Sequence, residues 1–123
     1  MTKKEKIAEV ESGVDRKRTP RGFQVIEFKD RYGISCTLQQ SSLADYTQPG
    51  SSAVWLGVED IKPQVMASEA SQVGIVTDVK CGWVPYPIPP QVMISSRMHL
   101  DVKQVEWLVA ELQGWLRTGS FEK

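Results

Sequence analysis

Arg31, Arg97 and His99 are the side chains of this sequence best suited to gripping an anion. Arginine presents a planar fork of donors that meets phosphate two bonds at a time, and histidine adds a ring N–H. Tyr32, Trp55, Trp83 and Tyr86 supply flat faces on which a nucleobase stacks. Arg31 and Tyr32 are adjacent within Lys29-Asp30-Arg31-Tyr32-Gly33, a stretch with the composition of a tight turn. A cation beside an aromatic at a loop tip suits an anionic, base-bearing ligand; plain solvation accounts for the pair equally well. Trp55 sits in the apolar run Ala53–Val58 and reads as core. Trp83 and Tyr86 lie in a proline-rich stretch and read as exposed, facing a ligand or a partner subunit. Arg31 and Arg97 also have a structural alternative, which is pairing with carboxylates of their own fold.

Catalysis has less to draw on. The chain holds one histidine and two cysteines, Cys36 and Cys81. Nucleophilic catalysis needs a serine or cysteine, a base and a group that orients the base. His99 pairs in principle with Cys36, Cys81 or a serine, but no local motif supports any such pair. The sequence contains no Walker-type loop, no GxGxxG and no CxxC, and a Cys/His zinc site lacks its spacing. The expectation is a binding protein and not an enzyme, without metal or cofactor. Two cysteines are too few for a disulfide framework, and Cys36 reads as a buried free thiol on the apolar face of a strand.

The elements that must hold these residues follow from pattern. Its 123 residues, 41% hydrophobic and 24% charged, suit a single ordered domain. Lys plus Arg equals Asp plus Glu at 15 each, a balance unlike that of a duplex-DNA binder. No run is long enough for a membrane span and the charged start lacks a signal-peptide core, so the expectation is a cytoplasmic protein. Residues 1–21 carry Lys3, Lys4, Lys6, Arg16, Lys17, Arg18 and Arg21 against four acids, and read as an arm or short helix followed by a connector. Residues 22–123 read as one α+β domain.

Residues 23–28 and 34–39 read as two strands of a hairpin, with Ile34, Cys36 and Leu38 alternating with Ser35, Thr37 and Gln39. Asp30 suits bonding to the backbone ahead of it, and Gly33 suits the positive φ of the turn. Residues 45–52 read as a loop, Ala53–Val58 as a strand, 73–79 as a strand and 92–100 as a last strand. Residues 82–90 hold four of the seven prolines and read as extended edge or loop. Asp101 and Gln104 form a capping-box pattern ahead of Val105, Leu108, Val109, Leu112, Trp115 and Leu116, the stripe of an amphipathic helix that ends at Gly119. The fold expected is an antiparallel β-sheet, hairpin plus two to three further strands, with this helix packed on one face.

Four segments together, Asp30-Arg31-Tyr32-Gly33, Leu38-Gln39-Gln40-Ser41-Ser42-Leu43-Ala44, Val54-Trp55-Leu56-Gly57 and Arg97-Met98-His99-Leu100, resemble a group of small bacteriophage proteins, and through them the first family of Thoeris anti-defence proteins. The resemblance spans residues 22–120. It implies a sponge in the host cytoplasm that binds a cyclic ADP-ribose-type immune signal, in some members also cyclic oligonucleotides, without degrading it. It implies homo-oligomers with ligand sites where protomers meet. At the matching positions, Arg31 and Arg97 would hold phosphates and His99 would assist, with Tyr32 and Trp83 as stacking candidates of our own reading. The competing expectation is a phage protein that inhibits a host defence protein by direct contact.

Overall fold

The computed structural model describes residues 1–43, 52–59 and 61–122. The chain divides into two compact units, one of Met1–Glu59 with Arg97–Lys123 and one of Asp60–Ser96.

The first unit is α+β. It opens with α1 (Lys3–Glu11), capped by Thr2, whose hydroxyl accepts the Glu5 N–H at 3.1 Å. Its five strands are β1 (Asp15–Arg18), β2 (Gln24–Lys29), β3 (Ser35–Gln40), β4 (Ala53–Val58) and a last strand (Met98–Asp101), all paired antiparallel with their neighbours. The turn between β2 and β3 is built as its residues dictate. The Asp30 carboxylate accepts the N–H groups of Tyr32 (2.8 Å) and Ile34 (2.9 Å), and Gly33 adopts a φ of 81°.

β1 falls where a connector was expected. All four of its residues are charged and exposed, so no apolar alternation marks it. It is a strand because the turn after it folds it onto β2. Thr19 N–H reaches the Phe23 carbonyl at 2.8 Å, and the Thr19 hydroxyl accepts the Phe23 N–H at 3.1 Å. Lys17 and Glu27 then form an ion pair of 2.6 Å, and the hydrogen bond that the lysine donates to Glu27 holds it above its usual value.

α2 (Val102–Thr118) begins at the residue after the last strand. The capping box is complete: the Asp101 carboxylate accepts the Gln104 N–H at 2.8 Å, and the Gln104 side chain accepts the Asp101 N–H at 2.9 Å. Gly119, at φ 75°, closes the helix. α2 meets the sheet at this last strand. Val102 and Val105 line a small cavity of about 180 Å³ with Ala53, Val54 and Leu100.

The second unit pairs β5 (Gln64–Met66) with β6 (Trp83–Pro85) around a 3-10 helix (Ala67–Val73), so the last strand of the first unit is β7 in chain order. Ala70 and Val84 are its buried apolar side chains. Residues 75–79, expected in a strand, adopt no regular element: Gly74 ends the 3-10 helix at φ 79°, and Val76 is fully exposed. Residues 92–97 likewise stay outside β7. The loop expected over 45–52 lies, apart from Ser52, outside the described residues. Among the described residues no helix is long and apolar enough to cross a membrane.

Candidate functional site

Antiparallel register fixes which side chains share a face, because directly opposed residues project to the same side. Gln39 of β3 opposes Trp55 of β4, and Trp55 opposes His99 of β7. The three therefore stand in one row. Leu38 opposes Leu56, and Val54 opposes Leu100, on the other face. Trp55 thus shares the face of Gln39 and His99 and is half-exposed, where its apolar surroundings in sequence suggested core.

The His99 ring lies flat on the Trp55 indole, with centroids 3.9 Å apart and planes 4° from parallel. Arg97 sets its guanidinium 5.2 Å from the centre of the same indole and donates to the Gln39 side-chain oxygen at 3.2 Å. A guanidinium on an indole face keeps donors available at its edges while the ring quadrupole holds it in place. His99 Nε2 is 2.9 Å from the Ser41 hydroxyl, which also accepts the Leu43 N–H at 3.0 Å. Ser41 is buried, at 4% exposure, so this serine–histidine pair fixes the ring and offers no accessible nucleophile.

The turn after β1 supplies a second wall. Arg21 places its guanidinium 5.3 Å from the centre of the Phe23 ring. A cavity of about 470 Å³ opens between that turn and the strands, lined by Thr19, Arg21, Phe23, Gln39, Ser42 and Trp55. That volume lies in the range of small-molecule sites. Its walls combine two aromatic rings with a guanidinium, an amide and hydroxyls, and Arg97 bonds the lining amide. Such a set stacks a planar base and bonds an anionic group. A larger concavity of about 630 Å³ opens among Arg16, Arg18, Ile26, Leu38 and Val54, side chains of the other face, and has no aromatic lining.

Of the residues expected from the sequence, the fold brings Arg97 and His99 together. Arg31 and Tyr32 stand at the β2–β3 tip, exposed, with Tyr32 at 83%. Gln39 lies four residues beyond Ser35, about 13 Å farther along β3 at ~3.3 Å per residue, so within one chain the tip is remote from the row. Trp83 belongs to β6 of the second unit and is exposed. Sequence reasoning missed Trp55, Gln39, Arg21 and Phe23 as site residues. One signal was present: on β4, Val54, Leu56 and Val58 form an all-aliphatic set, which leaves Ala53, Trp55 and Gly57 to the opposite face. Among the described residues, no three His, Cys, Asp or Glu side chains gather as a metal site would. No protein-family model, curated protein or solved structure matches the chain.

Proposed function

We propose that this protein binds a cyclic ADP-ribose-type nucleotide signal and sequesters it without chemical change, as an anti-defence sponge acting in the host cytoplasm. The observation that carries the reading is the Trp55–His99 stack with Arg97 and Gln39 beside the cavity walled by Arg21 and Phe23. Adenine stacks on aromatic faces, and a pyrophosphate takes bidentate arginine contacts. A sponge needs this binding chemistry and no activated nucleophile, which fits a serine hydroxyl turned inward onto His99. The resemblance of residues 22–120 to Thoeris anti-defence proteins supports the same class of ligand.

The test is incubation of the protein with a cyclic ADP-ribose isomer, removal of free ligand, heat denaturation and mass spectrometry of the supernatant. Release of ligand with unchanged mass, in fixed proportion to protein, is the expected result. Absence of binding to any cyclic nucleotide overturns the reading, and a changed mass replaces it with an enzyme. A second reading, direct inhibition of a host protein, draws on the exposed Trp83, Val76 and Met93 of the second unit, at 63%, 100% and 89%. It predicts one stable protein partner in a pull-down and no bound nucleotide.

A further inference from the structure

The cavity of about 470 Å³ between the turn after β1 and the strands is rich in donors and poor in acceptors. Its lining side chains include no carboxylate, and the Arg21 guanidinium carries only N–H groups. The Thr19 hydroxyl already accepts the Phe23 N–H at 3.1 Å, which leaves its own proton to give. The backbone of the turn is committed in the same sense. The Thr19 carbonyl accepts from the Gly22 N–H, and the Gly22 carbonyl accepts from the Arg18 guanidinium, each at 2.8 Å. The Ser42 hydroxyl serves in either sense.

Gln39 decides the character of this wall. A glutamine amide has an accepting end and a donating end, and with both it pairs the 6-amino group and N7 of adenine. Here the accepting end is taken. Arginine only donates, so the Gln39 atom 3.2 Å from Arg97 Nη1 is the oxygen. Arg97 is itself held 5.2 Å from the centre of the Trp55 indole, and Trp55 opposes Gln39 across the β3–β4 ladder. Two neighbours thus fix the amide, and Nε2 with its protons is the end left for a ligand.

We propose that Gln39 reads the base of the bound nucleotide as a donor, so that the site favours a 6-oxopurine over a 6-aminopurine. On its N7 edge adenine presents one acceptor, N7, and one donor, the 6-amino group. Hypoxanthine and guanine present two acceptors there, N7 and O6. Gln39 Nε2 and the Arg21 guanidinium both give protons, so the 6-amino group meets a donor and is left unpaired. A desolvated polar group without a partner is what makes such discrimination steep. Trp55 and Phe23 stack either purine, so the edge contact sets the preference. The inference rests on the nucleotide-sequestration reading and narrows its ligand by the class of base.

Isothermal titration with a cyclic ADP-ribose isomer and with its deaminated counterpart, hypoxanthine in place of adenine, tests it. The wild-type protein is expected to bind the deaminated form about tenfold more tightly. Gln39→Glu keeps the bond to Arg97 and turns an acceptor into the cavity, so the preference is expected to reverse. The added charge weakens both ligands alike, which makes the ratio of affinities the readout. Gln39→Met, similar in size and uncharged, is expected to erase the preference, and it serves if the glutamate variant does not fold. A wild-type protein that binds the adenine form as tightly or more tightly overturns the proposal, as does a ratio unchanged in the variants. In those cases sequestration of the nucleotide stands. Binding of neither form removes that reading, and this one with it.

Discussion

Trp55 holds His99 by stacking and Arg97 by attraction of the guanidinium to its ring, so it orients two donors at once. Replacing Arg97 by alanine removes a charged donor and is expected to weaken cyclic nucleotide binding at least tenfold, about 1.4 kcal/mol, by isothermal titration. Trp55→Ala is expected to cost more than Arg97→Ala, because it releases His99 as well as the arginine. The cysteines provide an independent check on burial. Burial pushes the Cys36 thiol up, whereas Cys81 is exposed. Since the thiolate is the nucleophile, iodoacetamide at neutral pH is expected to modify Cys81 rapidly and Cys36 only after denaturation, read by peptide mass spectrometry. The raised Cys36 value has a defined sign: above the ordinary thiol value of 9.0, the unfolded chain loses this proton first, and stability falls as pH rises. The types of Arg97 and His99 made them legible as donors from sequence. Their setting was not legible, because it depends on the register between β3, β4 and β7, whose partners lie up to 58 residues apart in the chain.

The elements that sequence reasoning anticipated are those specified by neighbours in the chain. Asp30 and Gly33 make the hairpin turn, and Asp101 and Gln104 make the helix cap, each from bonds spanning four residues or fewer. Asp101→Ala is expected to cost about 1 kcal/mol, the usual worth of an N-cap, and Gly33→Ala roughly 1 kcal/mol through the positive φ; urea denaturation monitored by circular dichroism measures both. Elements that depend on a pairing partner and not on their own composition were misjudged. β1 carries only charged residues and is held by β2, while 75–79 carries β-branched residues and finds no strand to pair with. Propensity describes what a segment tolerates, and pairing decides what it becomes.

The molecule as a whole is two units of unequal internal support. The first rests on a five-stranded ladder, and the second on a two-stranded one with Ala70 and Val84 as its buried apolar side chains. Hydrogen exchange is expected to release the amides of Asp60–Ser96 before those of β2, β3 and β4, since local opening follows the amount of buried apolar surface. Comparable protection across both units contradicts this. The outer strand β1 has a further consequence. An edge of unpaired backbone groups invites another chain to add a strand, and a row of charges deters it. With Asp15, Arg16, Lys17 and Arg18 along one border and a four-residue strand running straight into a helix at the other, the sheet resists sideways growth. Arg16→Val with Lys17→Val is therefore expected to raise thioflavin-positive fibril formation on agitation. In the native chain the charges of β1 stand where an added strand would have to pair.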